Sequence, residues 1–210
     1  MAKDGDTQTY RERQAARLLR TAAAIAAGEG LGELQARRVA KEADCSVGTL
    51  YNIFGDIDGL ILGVNAATLA DLGRMLTTAA RRIASGDLEA RLMTLASAYL
   101  DFAAANQLRW RTVFEHQLPD ARPLPEAYAA DRRRLLSLLD AQLAEAVPDA
   151  SARADAAFAL FSAVHGIVLL SLNARLLAFD PERCERQIRF VVGHVVKGLG
   201  GAGPQNRRIT

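Results

Sequence analysis

From Tyr10 to Ala27 the apolar residues Leu18, Leu19, Ala22, Ala23, Ile25 and Ala26 recur at the spacing of one helical face, and Gly28 with Gly30 ends the pattern. A second, short helix is predicted over about 35–43, where Val39, Ala40 and Ala43 form an apolar patch beside Arg37, Arg38, Lys41 and Glu42. After a turn at Asp44 to Ser46, Ser46 can cap a third helix, Val47 to Phe54, which Gly55 closes. Beyond it the chain predicts long helices over 58–84, 87–106, 108–117, 126–147, 150–179 and 181–199. The breaks are Ser85-Gly86, the proline-rich segment 118–125, Pro148 and Asp180-Pro181. No strand-like alternation interrupts this series, so the expected fold class is all-α with about nine helices.

Composition agrees with that reading. Of 210 residues, 40 are Ala and 29 Leu, both strong helix formers, while half the chain is apolar and 24% charged. The first three helices span about 55 residues, too few to bury much alone, so they are expected to lean on the long fourth helix. The expected domains are 1–56, a helix-turn-helix unit; 57–200, a helical bundle; and 201–210, a disordered Gly-rich tail. The N-terminus lacks an uninterrupted signal-peptide core, the most apolar run, Ile167 to Leu172, is short, and Cys45 and Cys184 suit a reducing cytoplasm. A cytoplasmic protein with no membrane partner is expected. The formal net charge is only +2, and residues 1–60 carry nine acids against eight Lys or Arg, so bulk charge does not advertise nucleic acid as a partner.

The stretch Val39 to Phe54, VAKEADCSVGTLYNIF, carries the chemistry. A helix-turn-helix needs a small residue where its helices cross, a turn residue that tolerates left-handed backbone, and an apolar anchor on the second helix. Ala40, Asp44 and Leu50 stand at those places. With Leu50 and Phe54 facing inward, Val47, Gly48, Thr49, Tyr51 and Asn52 face solvent. That short, uncharged face can enter a major groove, where Thr49 and Asn52 reach base edges, Val47 a thymine methyl and Tyr51 a phosphate. The first-turn amides of helices two and three can meet further phosphates.

The stretch resembles the DNA-binding domain of the TetR family of transcriptional regulators. The match is Val39-Ala40, Cys45 to Tyr51 and Phe54, then Leu60, and it reaches upstream through Arg17, Leu18, Leu19, Ala22, Ala23, Gly30 and Leu34. The resemblance implies DNA contacts at Gln35, Ala36, Arg37, Ser46, Val47, Gly48, Thr49, Tyr51 and Asn52. This chain departs from the family pattern at Gln35, in place of Thr or Ser, at Asp44, in place of Gly, and at Ile57, in place of a phosphate-contacting Lys. With Asp56 and Asp58 beside it, Ile57 implies weakened backbone affinity unless arginines near the N-terminus compensate.

Asn106 to Trp110 with Phe114, and Phe161-Ser-Ala-Val-His165-Gly166, resemble segments of the family's second domain. The resemblance implies a small-molecule effector, apolar or aromatic, in a cavity lined by Met75, Met93, Tyr99, Phe102, Trp110, Phe114, His116, Tyr128 and His165. The residues alone read most of these as core, and His165 as a structural histidine bonded to a backbone carbonyl or a facing helix, with Gly166 permitting close approach. Phe158, Phe161, His165, Val168, Leu172 and Leu176 form one apolar stripe, and Ile188, Val192, Val195 and Leu199 another. The two stripes could pack within one chain; the resemblance implies pairing across a two-fold axis as a homodimer. Dimerisation would place two reading helices one DNA turn apart on a palindromic double-stranded operator.

Enzymatic motifs are lacking: no Walker loop, no Gly-x-Ser-x-Gly and no spaced Cys/His set occurs, so neither a metal nor another cofactor is expected. Gly198 to Gly203 fits a dinucleotide fingerprint formally, but only seven residues follow and no strand-helix unit can be built. The resemblance to the TetR family therefore implies a ligand-released transcriptional repressor. A helical bundle that binds ligands or partners but has lost strong DNA binding is the competing reading, carried by Ile57.

Overall fold

The structure, a computed structural model, describes residues 2–83, 86–119, 122–173 and 178–201. Among these are nine α-helices and no strand: α1 Ala2–Glu29, α2 Ala36–Glu42, α3 Val47–Phe54, α4 Ile57–Arg82, α5 Leu88–Ala105, α6 Gln107–Glu115, α7 Glu126–Leu143, α8 Ala150–Ser171 and α9 Pro181–Gly201. A single 3-10 turn, Leu31–Glu33, joins α1 to α2. The all-α expectation holds. Helix α1 begins earlier than its apolar pattern, and α7 and α8 end sooner than predicted. At the end of α7 the Val147 amide closes onto the Leu143 carbonyl, and Arg153 Nη1 takes the Val147 and Pro148 carbonyls at 3.1 Å each. Helix α8 stops where Asn173, a residue that competes for its own backbone bonds, folds its amide onto Leu170. Of the predicted tail, 201–210, Gly201 belongs to α9 and 202–210 lie outside the described residues; Leu176 of the predicted apolar stripe also lies outside them.

The helices divide into two compact units, residues 1–71 with 106–131, and residues 72–105 with 132–210. In the first, Leu18, Ala22, Ile25 and Ala26 of α1 pack on Leu34, on Val39 and Ala43 of α2, on Leu50 of α3 and on Leu60, Ile61 and Val64 of α4. The helix-turn-helix unit leans on α4 as its size requires, and on α6 as well, where a Cβ built on Gly30 would stand 3.7 Å from Leu108 Cδ2. Gly63 of α4 admits α1: a Cβ there would stand 2.7 Å from Leu19 Cδ2. A buried polar pair joins α4 to α6. Thr112 Oγ1 donates to Asn65 Oδ1 at 2.8 Å, and Asn65 Nδ2 donates to the Thr112 carbonyl at 3.3 Å. Since burial makes an unpaired amide costly, this reciprocal pair fixes how α6 sits on α4.

In the second unit α9 packs against α5 and α8. The apolar stripes of α8 and α9 meet inside the protomer: Val168, Leu172, Ile188 and Val192 are all buried there. Their placement on a two-fold interface is corrected accordingly, because side chains already desolvated within one chain have no surface to give a second copy. Phe158, Leu170 and Phe190 stand out instead, 59%, 56% and 66% exposed. Phe161, Val195 and Leu199 are half-buried. Nothing approaches within 4 Å of where a Gly166 Cβ would lie, so that glycine does not mark a close helix crossing within the described residues. By length and composition α4 and α8 could each cross a membrane, with mean hydropathies of 1.2 and 1.7 over their most apolar windows. The short run Ile167 to Leu172 does not reveal this by itself. Helix α4 is half buried as a core helix, which explains its apolar character without lipid.

Candidate nucleic-acid interface

Helix α3 has only eight residues, too few to be stable alone, so its neighbours must hold it. Leu50, fully buried, is the anchor, with Ile53 and Phe54 packed beside it. Ser46 Oγ accepts the Thr49 amide at 3.0 Å and caps the helix, while its hydroxyl meets Thr49 Oγ1 at 3.0 Å. The turn before α3 is closed by the Cys45 amide on the Ala40 carbonyl. Asp44 takes φ +48°, alone among described non-glycine residues in being left-handed, as its position in the motif demands. Gly55, at φ +82°, ends the helix. Ala40 of α2, which packs on α3, is buried.

These constraints leave the predicted face outward. Gly48, Tyr51 and Asn52 are exposed, Tyr51 by 46%, and Val47 and Thr49 are half-buried. Ser46 is exposed as well as capping. On α2, Gln35 and Arg37 are exposed and Ala36 half-buried, and Gln35 occupies the cap position without a side-chain bond. Gly48 meets only Ser46 Oγ, 3.5 Å from a notional Cβ, so its smallness serves the outer surface and not a contact within the chain. Ile57, the missing lysine, is spent packing on the core of the head.

Sequence reasoning missed the charged frame around this face. Arg38 binds Glu33 at 2.7 Å, Glu42 at 2.9 Å and Glu29 on two atoms, joining α1, the 3-10 turn and α2. Those acids raise the Arg38 guanidinium further above its ordinary value, and Arg38 in turn lowers Glu29. From α1, Arg11 Nη2 donates to the Asn52 carbonyl at 3.0 Å, and Arg17 Nη2 donates to the Asp44 carbonyl. Both ends of α3 are thus tied to α1. Long-range pairs of this kind have no fixed spacing, so no sequence period announces them.

The acids expected to repel phosphate are also engaged. Asp56 Oδ1 caps α4 through the Gly59 amide at 2.8 Å, and its Oδ2 lies 2.5 Å from Arg122 Nη1. Those two partners hold its carboxyl below the usual range. Asp58 Oδ1 lies 2.9 Å from His116 Nε2. Partnering lowers the repulsion inferred from the bare sequence.

The nine residues assigned to an effector cavity fall in both units. Trp110, Phe114, His116 and Tyr128 belong to the first, where Trp110 and Tyr128 are buried, Phe114 is exposed and Trp110 packs on Phe114 at 5.4 Å between ring centroids. Met75, Met93, Tyr99, Phe102 and His165 belong to the second, with Met75 exposed and Met93, Tyr99 and Phe102 buried. There Tyr99 Oη lies 2.7 Å from His165 Nδ1, and Phe161 stacks on the imidazole at 5.4 Å. Burial lowers the His165 pKa and favours the neutral ring. The facing helix, through a side chain, supplies the partner expected of a structural histidine. Among the described residues no group of three or more His, Cys, Asp or Glu could hold a metal.

Known proteins resemble this chain in sequence and in fold. The family described as "Bacterial regulatory proteins, tetR family" matches residues 18–64, and that described as "Tetracyclin repressor-like, C-terminal domain" matches 92–193. The HTH-type transcriptional regulator BetI of Burkholderia ambifaria is 34% identical over 134 residues, 62% of this chain and 68% of that one. Two solved structures share the fold: a protein of unknown function from Rhodococcus sp. RHA1 and a TetR-family transcriptional regulator from Streptomyces coelicolor. The first has a TM-score of 0.70 at 21% identity, covering 88% of this chain and 94% of that one. The second has a TM-score of 0.64 at 24% identity, covering 90% and 98%. With the exposed face of α3, its buried anchor and its left-handed turn, these matches identify the chain as a member of the TetR family of transcriptional regulators, with a helix-turn-helix DNA-binding domain.

Proposed function

We propose that the protein is a cytoplasmic, ligand-responsive repressor that binds a palindromic DNA operator as a homodimer and leaves it when a small apolar or aromatic effector binds. In this reading residues 1–56 are the reading head, and 57–200 hold effector and partner. The observation that carries it is the outer face of α3. Val47, Gly48, Thr49, Tyr51 and Asn52 form an uncharged surface that their own fold leaves open, over an anchor that is fully buried. One such helix reads few base pairs, so two copies about one DNA turn, roughly 34 Å, apart are needed for useful discrimination. The dimer surface we assign is the outer side of α8 and α9, with Phe158, Phe161, Leu170, Phe190, Val195 and Leu199. Three large apolar side chains among these, Phe158, Leu170 and Phe190, are more than half exposed, which supports a partner there.

Release requires that the effector favour a conformation that spaces the two heads differently; equal affinity for both conformations would shift nothing. Helix α4 carries the coupling in this reading, since it runs without a break from the head into the second unit. Footprinting the purified protein on DNA upstream of its own gene, with and without candidate aromatic ligands, tests the proposal. It predicts two protected half-sites in dyad symmetry that vanish with an effector. Unprotected DNA at low salt would favour the competing reading, a ligand-binding bundle without an operator.

A further inference from the structure

Helix α1 carries Arg13, Arg17 and Arg20 at i, i+4 and i+7, on one face of the helix. With Gln14 and Ala16 their aliphatic stems wall an open groove of about 300 Å³. Arg17 sets this face beside the turn entering α3, because its Nη2 donates to the Asp44 carbonyl. Two buried atoms of the lining have no hydrogen-bond partner among the described residues: Arg17 Nε, a donor, and Gln14 Oε1. The Gln14 amide bonds Tyr10 Oη through Nε2 at 3.1 Å. Arg13 uses Nε on the Thr9 carbonyl, and Arg20 makes no hydrogen bond or ion pair among the described residues. Nearby acids compete little. Asp44 lies 3.9 Å from Arg17 with a fully exposed side chain, and Glu12, bonded by Gln8, points from another face of the helix.

Arg13 and Arg20 are exposed and Arg20 is unpaired among the described residues, so this face of α1 carries positive charge that can meet an oxyanion. Resting on the DNA-binding reading above, we infer that Arg13, Arg17 and Arg20 of α1 cradle a phosphate of the duplex backbone beside the bases that α3 reads, and restore the positive charge that Ile57 withholds. The cradle strengthens binding to every duplex without choosing among sequences, since phosphates carry no sequence information. The departure at position 57 and the arginine stripe of α1 are then two halves of one arrangement.

The test is R13Q/R20Q, which leaves the bracing Arg17 in place and exchanges good helix formers on an exposed surface. Its affinity for the footprinted duplex and for an unrelated duplex of equal length is titrated against salt, beside the parent, T49A, and R81Q/R82Q as an equal charge change on α4. R13Q/R20Q is expected to weaken binding to both duplexes by the same factor and to lower the log–log salt slope by about 0.9 for each phosphate it no longer neutralises. T49A is expected to keep the slope and lose preference between duplexes. Parent-like slope and affinity in R13Q/R20Q, or an equal loss in R81Q/R82Q, overturns the cradle. A parent that prefers no duplex while R13Q/R20Q still lowers the slope overturns the reading of α3 and keeps the cradle. A parent that binds no duplex overturns both.

Discussion

Substituting Leu50 by Ala tests how the reading helix is held. The side chain is fully buried among Leu18, Ala22, Val39, Leu60 and Val64, and α3 has no other fully buried residue. Truncation removes the transfer free energy of three carbons and leaves a cavity that neighbours fill only in part, at a cost of about 2–5 kcal/mol. In a chain this long each kcal/mol lowers Tm by about 2–4 °C, so a mid-range loss of about 3 kcal/mol predicts a fall of about 6–12 °C. Leu50→Met conserves volume and should cost less than about 1.5 kcal/mol. The assay is urea and thermal unfolding of parent and both variants, followed by circular dichroism and by operator affinity at a temperature where all three are folded. Operator affinity should fall in Leu50→Ala and be kept in Leu50→Met, because an unanchored eight-residue helix frays before the protein unfolds. A Leu50→Ala protein with parental Tm and parental operator affinity would refute the reasoning.

Three other outcomes follow from the same structure. Asp44→Gly should stabilise the protein slightly in urea, by less than about 1 kcal/mol, and Asp44→Val should cost about 1–2 kcal/mol, because φ +48° suits glycine and crowds a β-branched residue. Burial lowers the His165 pKa, so the unfolded chain takes up its proton first as pH falls through about 6.5. That contribution is intact above this range and lost below it, and Tm measured from pH 7 to pH 5 should fall less in His165→Gln than in the parent. Phe190→Asp should leave secondary structure unchanged and shift sedimentation toward the monomer, since this side chain is exposed in the protomer and, in our proposal, buried by the partner.

Much of the head was legible in the sequence because its rules are local. A capping serine, a left-handed turn residue and a one-turn spacing between Leu50 and Phe54 each act within a few positions, and α3 runs over Val47–Phe54 as predicted. What was not legible depends on partners distant in sequence. Nothing in the spacing of α8 and α9 says whether their stripes meet each other or a second copy; the structure buries Val168 against the same protomer's core and leaves Phe190 outside. Likewise Asp56 and Asp58 read as bare charges until Arg122 and His116 are folded onto them. The contribution of α6 to the head was equally hidden, because Thr112 finds Asn65 across 47 positions.

The central claim, that the outer face of α3 reads base edges, is tested most directly by titrating parent and Thr49→Ala against single-base-pair variants of the operator at one fixed salt concentration. The parent should show penalties of about 1–3 kcal/mol at the contacted positions, and Thr49→Ala should lose the penalty at one or two of them while binding unrelated DNA as before. Identical penalty profiles for the two proteins would contradict the account.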